Sequence, residues 1–243
     1  HAIPAIMAAR AGLDIYGEKP LSHTLAEGRA MCEAVKKNKR VLQCGSHERS
    51  GDNARMACEL VRNGRIGKLH TLRINLPFDE GHHMDALKTT TQPAAEMTAP
   101  EGFDYDMWLG HTPLVPYTPR RCHFWWRFNL AYGGGEMTDR GAHVIDLGQL
   151  GAGMDDTGPV ELKAEGKQMT GLYNVFSDYH FECVYGNGLK LIGENKGPRG
   201  VRFEGDEGWT FIHVHGAKLE ASKETLLSEP LKNKKVDLGR SPG

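Results

Sequence analysis

Between residues 2 and 44 the chain alternates helix and strand with almost no connecting sequence, and that rhythm restricts the fold more than any other feature. Residues 2–11 are Ala-rich with apolar side chains at helical spacing, and Gly12 is placed to stop the helix. Leu13, Asp14, Ile15 and Tyr16 read as a short strand, with Gly17-Glu18-Lys19-Pro20 as the loop at its end. Thr24-Leu25-Ala26-Glu27 has the spacing of a capping box, in which Thr and Glu satisfy free N–H groups at a helix start. It opens an amphipathic helix running to about Lys37, and residues 41–44 follow as a second strand. Helix, strand, helix, strand with such short links predicts part of a doubly wound parallel sheet.

The pattern then changes. Residues 52–63 read as a helix stopped by Gly64, and 69–76 as a strand. Residues 77–124 are rich in Pro, Gly, His and Thr and lack periodicity, which predicts a lid or binding loop. Gly133-Gly134-Gly135 reads as a flexible turn leading into a helix over about 137–150. Beyond it, strands are expected at 160–169, 176–185, 189–194, 201–204 and 209–215, with Gly186-Asn187-Gly188 as a hairpin turn. That is a mainly antiparallel sheet of α+β type. The tail, 233–243, is polar and ends without a closing element.

Composition narrows the function classes. A net charge of -1 with 25% charged residues lacks the basic face expected of a nucleic-acid binder. No apolar run approaches the length of a membrane span. The five cysteines, Cys32, Cys44, Cys58, Cys122 and Cys183, are odd in number and form no CxxC pair, which favours reduced thiols and the cytoplasm. Export stays open, because the chain starts at His1 and any targeting signal would lie upstream.

Glu18-Lys19-Pro20 sits past the carboxyl end of an expected parallel strand, where open α/β sheets bind ligands. A lysine on that stiff loop can hold a substrate hydroxyl and move a proton. Asp139 and His143, four apart in the expected helix, share a face. Oxidation of an alcohol needs a base for the hydroxyl proton as the hydride leaves, and His is suited to that work. Asp146 is an alternative partner for His143. A metal is the rival use of Asp139 and His143, joined by His82, His83, His111 or His123; no spacing fixes a third ligand, so no metal is expected. His213 and His215 read as exposed residues of one strand face. Trp125, Trp126, Arg127 and Tyr132 suit either stacking on a sugar or a packed loop-to-core junction. The dinucleotide fingerprint GxGxxG occurs nowhere.

Two segments carry a resemblance. HAIPAIMAARAGLDIYGEKPL (residues 1–21) and GGGEMTDRGAHVIDLGQLGAGMDD (133–156) resemble, in order and separation, the Glu-Lys-Pro and Gly-rich Asp-x-x-x-His segments of the Gfo/Idh/MocA (glucose–fructose oxidoreductase/inositol dehydrogenase) family. ACELVRNGRIGKLHTLRI and GVRFEGDEGWTFI are similar to a bacterial branch of it, so the likeness covers nearly the whole chain. It implies that residues 1–50 are the C-terminal part of a Rossmann-type dinucleotide-binding domain. Residues 51–243 would form a substrate-binding and oligomerisation α/β domain with an open, mainly antiparallel sheet. It further implies that Lys19 contacts substrate and cofactor ribose, that His143 is the base, and that Asp139 binds substrate beside it. His1, Glu18, Lys19 and Pro20 would line the nicotinamide end, with Arg127 and Tyr132 expected at the substrate. The pyrophosphate-binding loop of the family would lie before His1, so the chain reads as a fragment cut at both ends.

The expected activity is hydride transfer between NAD or NADP and a secondary hydroxyl of a sugar, glycoside or cyclitol, in a homo-oligomer built through the C-terminal sheet. Two alternatives remain: a glycosidase that reduces and reoxidises NAD within each turnover, and a non-catalytic binding or oligomerisation module.

Overall fold

The computed structural model describes residues 1–78, 97–216 and 218–239. The N-terminal rhythm is realised as α1 (Ala2–Arg10), β1 (Ile15–Glu18), α2 (Leu25–Lys37) and β2 (Leu42–Gly45). The strands pair in parallel, from Ile15 opposite Leu42 to Glu18 opposite Gly45. The capping box forms as its spacing requires: the Glu27 N–H donates to Thr24 Oγ1 at 3.2 Å, and Glu27 Oε2 accepts the N–H groups of Thr24 and His23. Ala2, Ala5 and Met31 form a small core here, with Ile6, Ile15, Leu21 and Leu42 packed around them.

The second sheet has seven strands: β3 (Leu69–Asn75), β4 (Pro159–Gln168), β5 (Phe176–Tyr185), β6 (Lys190–Glu194), β7 (Gly200–Gly205), β8 (Gly208–His213) and β9 (Leu219–Ala221). Their order is β4-β5-β6-β3-β7-β8-β9. Only the β3–β6 pair within this order is parallel, so the sheet is mainly antiparallel as expected. Two helices cover β3, β7 and β8: α3 (Asp52–Arg62), which buries Ala54, Ala57, Cys58, Leu60 and Val61, and a later helix that ends at Ala152. Close approach is allowed by glycine in that second helix. A Cβ on Gly151 would stand 2.4 Å from the Phe203 ring of β7. Leu72, Ile74, Val144, Leu147, Val201, Phe203 and Ile212 are buried between the layers.

Several expectations are corrected. The long aperiodic stretch contains a short helix, α4 (Tyr105–Leu109), and a 3-10 turn, His123–Phe128. His82 and His83 lie outside the described residues. The second covering helix, α5, spans Gly141–Ala152 rather than starting near Met137. A 3-10 turn at Gly135–Met137 precedes it, and Asp139 sits in the turn between the two. The glycine run is not a loose hinge. Gly134 N–H donates to Thr138 Oγ1 at 2.8 Å, and Gly135 takes φ +67° with its backbone pressed on Val175. Strand β8 ends at His213, so His215 is not a strand residue. β9 and α6 (Thr225–Ser228) were not anticipated. Part of the polar tail is docked: Asn63 Oδ1 accepts the N–H groups of Lys235 and Val236, and Glu59 accepts that of Leu238.

Candidate active site

Lys19 follows directly on β1, so the strand end aims it across to the turn before α5. Its ammonium donates to the Asp139 carbonyl at 2.8 Å and to Asp139 Oδ1 at 2.9 Å. Asp139 is fixed by its own N–H, which donates to the Gly135 carbonyl at 2.9 Å. Arg127 Nε stands 2.9 Å from the other carboxylate oxygen. The guanidinium is held in turn over the Phe124 ring, at 4.1 Å, and by the Phe124 carbonyl. Burial pushes the Asp139 carboxyl up, but the hydrogen bond and charge of Lys19, with Arg127 and Arg140, outweigh it and hold the pKa below the ordinary carboxylate value. Asp139 is therefore an anion clamped between two cations.

His143 lies in the first turn of α5 and is only 4% exposed. Burial is the main cause pulling its pKa down to about 4; Lys19, His47 and His215 act in the same direction and Asp139 against them. The imidazole is thus neutral near pH 7 and able to accept a proton. The helical pairing of Asp139 with His143 is corrected, because Asp139 precedes the helix and its oxygens are taken by Lys19 and Arg127. It acts on His143 only through space. Asp146 is not its partner either: Arg49 grips that carboxylate with two bonds, of 2.6 and 2.7 Å.

Beside this set lies a cavity of about 510 Å³, lined among others by His1, Pro20, His23, Trp126, Tyr132 and Thr138. Lys19 and Asp139 are the chain neighbours of Pro20 and Thr138, so the charged cluster adjoins its wall. His1 Nδ1 lies 2.9 Å from the Pro20 carbonyl, which ties the start of α1 to the lysine loop. Tyr132 is held by Thr112 Oγ1 at 2.6 Å and packs on Trp108 with ring centres 4.9 Å apart. The aromatic cluster divides between its two readings. Trp126 and Tyr132 face the cavity, whereas Trp125 packs on Phe128 and Tyr173 of the core. Glu18 is exposed, its carboxylate lying over Gly45. A largely apolar pocket with a few polar groups at its rim suits a flat ring such as nicotinamide or a sugar face. Among the described residues none forms the glycine-rich cradle that a pyrophosphate needs, so the fit concerns the nicotinamide end alone.

His111 and His123 do not join His143. His111 turns to Tyr132, and His123 to Phe103. In their place His47 and His215 come up, with ring centres 4.5 and 5.2 Å from that of His143. Glu48 lies between them, 3.3 Å from His47 Nε2 and 2.9 Å from His215 Nδ1. None of these three was singled out as a site residue from the sequence. A signal for two of them existed, since His47-Glu48 follows the carboxyl end of β2, a ligand position in open α/β sheets.

The sequence profile of the oxidoreductase family's C-terminal alpha/beta domain, of the Gfo/Idh/MocA type, matches residues 51–236. The chain belongs to the Gfo/Idh/MocA oxidoreductase family. Among curated Gfo/Idh/MocA relatives, myo-inositol 2-dehydrogenase of Thermotoga maritima is 34% identical over 107 residues, covering 44% of this chain and 31% of the relative. The uncharacterized oxidoreductase YrbE of Bacillus subtilis is 32% identical over 107 residues, covering 44% of this chain and 30% of that one. The matches thus span about a third of the curated relatives' length. Levoglucosan dehydrogenase, solved with NADH and levoglucosan, superposes with a TM-score of 0.65 at 22% identity, covering 95% of this chain and 55% of that one. Aldose-aldose oxidoreductase from Caulobacter crescentus, complexed with glycerol, gives a TM-score of 0.61 at 22% identity, covering 91% and 56%. These two structures establish the shared Gfo/Idh/MocA fold. No helix among the described residues is long and apolar enough to cross a membrane.

Proposed function

We propose that this chain supplies the substrate-handling site of an NAD(P)-dependent dehydrogenase acting on a secondary hydroxyl of a sugar, glycoside or cyclitol. The observation that carries the reading is a neutral, buried His143 beside a Lys19–Asp139–Arg127 cluster whose chain neighbours Pro20, Thr138 and Trp126 line a cavity. Names of relatives support the substrate class: one is an inositol dehydrogenase, and a structural neighbour was solved with levoglucosan. Residues 1–50 would belong to the dinucleotide-binding domain, and His1, Glu18, Lys19 and Pro20 would border the nicotinamide.

An ammonium has three N–H donors, and Lys19 spends two on Asp139. The third is left for the substrate oxygen, where it stabilises negative charge as the hydroxyl proton departs. His143 takes that proton at a ring nitrogen. Asp139 fixes the lysine and accepts a neighbouring hydroxyl, while Arg127 keeps the carboxylate in place. Trp126 and Tyr132 offer faces for the sugar ring and exclude water. A nicotinamide bordered by His1, Glu18, Lys19 and Pro20 would supply the hydride chemistry.

The test is turnover of the complete gene product with NAD or NADP and a panel of sugars, glycosides and cyclitols, following reduced nicotinamide and sugar product together. Stoichiometric nicotinamide reduction that disappears in a Lys19→Ala, His143→Ala double variant is the expected result. Glycoside cleavage without net reduction would replace the reading with a redox glycosidase. Absence of cofactor binding and turnover across the panel would replace it with a binding module.

A further inference from the structure

We propose that His47, Glu48 and His215 form a binding site for a first-row divalent metal ion of the zinc type. Two imidazoles and a carboxylate are a donor set that such ions select. The three donor atoms, one from each residue, lie within 4.8 Å of one another. Two spacings are already short: Glu48 Oε1 stands 2.9 Å from His215 Nδ1 and 3.3 Å from His47 Nε2. Donors on a tetrahedral ion with bonds of about 2.0–2.2 Å are separated by roughly 3.3–3.5 Å. The remaining spacing, between the two imidazoles, is within 4.8 Å, and the His47 side chain that would have to adjust is 63% exposed.

The donors come from segments far apart in sequence but are held on one support. His47 and Glu48 sit in the 3-10 turn His47–Ser50, immediately after β2. The next residue, Arg49, binds Asp146 of α5 and also Asp155 beyond it, at 2.8 and 3.2 Å, so the turn is pinned to the helix. His215 arrives from the turn after β8 with φ +65°, a left-handed backbone. Holding donors in place before an ion arrives reduces the ordering cost of binding, and buttressing contacts of this kind tune affinity strongly.

The chemistry of the cluster points the same way. Glu48 contacts the imidazoles of His47 and His215, and the His143 ring lies beside both, with the His47 and His215 ring centres 6.4 Å apart. Neutral imidazole nitrogens and a carboxylate oxygen are lone-pair donors of the kind such an ion takes. Three protein ligands leave coordination positions open for water or a substrate oxygen. An ion held here stands one imidazole away from His143, beside the hydroxyl-handling cluster. The site does not depend on the dehydrogenase reading, because it is defined by ion binding and not by turnover.

The test uses untagged protein stripped with EDTA, then equilibrated with zinc or cobalt(II) chloride. Metal is counted by mass spectrometry, and cobalt geometry is read from its visible absorption. One ion per chain is expected, with a rise in Tm on metal addition. Glu48→Gln and His215→Ala should each weaken binding at least about tenfold and abolish the Tm response. His111→Ala, a cavity histidine outside the set, should bind as the parent does. Metal-free Tm values near that of the parent show that the variants fold. No stoichiometric ion in the parent, or affinity unchanged in both Glu48→Gln and His215→Ala, would overturn the site and leave the contacts as ordinary histidine–carboxylate pairs.

Discussion

Lys19 and Asp139 are 120 positions apart, and each is the other's main polar partner. A Lys19→Met variant keeps the length of the side chain and removes the charge. Activity of the complete protein should fall by about 10²–10³ in kcat/KM, the range associated with loss of a donor that stabilises developing negative charge on oxygen. The same variant has a pH signature. Asp139 is held below its unfolded value of about 3.9. It therefore contributes stability that is complete above that value and is lost as pH falls through the folded pKa. Without Lys19 the folded pKa rises, the contribution shrinks, and the acid unfolding midpoint should move to higher pH, as followed by circular dichroism. An unchanged midpoint would mean that Arg127 and Arg140 alone hold the carboxylate. At this scale Lys19, Asp139 and His143 were legible in the sequence because two short motifs marked them. Arg127 was expected at the substrate, but its place as the second clamp on Asp139 was not legible, since nothing in local spacing links it to that residue.

Elements follow local rules where the local rules agree. The Thr24 capping box placed the start of α2, and strand alternation placed β5 within its observed bounds. Helix α5 departs from its pattern at the front. Apolar periodicity runs back to Met137, but the left-handed Gly135 and the bond from Gly134 to Thr138 tighten this stretch into a 3-10 turn. The consequence is that Asp139 leaves the helix and meets Lys19. The glycines of α5 are decided by packing. Gly151→Ala would improve helix propensity by up to about 1 kcal/mol, yet its Cβ would land 2.4 Å from Phe203 and 3.3 Å from Cys58 Sγ. Overpacking of that kind costs about 1–3 kcal/mol, so net destabilisation is expected in urea unfolding. A neutral or stabilising result would show that Phe203 can turn away freely.

At the scale of the molecule, one side of the large sheet is covered by α3 and α5, while β4 at its edge is exposed along its whole length. Val160 and Leu162, on the same face, are 69% and 66% exposed. We propose that these exposed apolar side chains on an edge strand meet a second copy of the chain. A Val160→Lys, Leu162→Lys double variant should lower the mass seen by light scattering from a dimer or larger to a monomer; a mass unaffected by the pair places the contact elsewhere. By itself the sequence determined the order and type of most elements, the parallel pairing at the N-terminus, and the motif residues Lys19, Asp139 and His143. Those depend on periodicity, capping and short motifs, which act over a few residues. Only the tertiary structure decided that Arg127 clamps Asp139, that Arg49 takes Asp146 away from His143, and that His47, Glu48 and His215 converge beside it. These are meetings between segments separated by many tens of residues, and their register is set by how α5 seats on β3 and β7, not by any spacing along the chain.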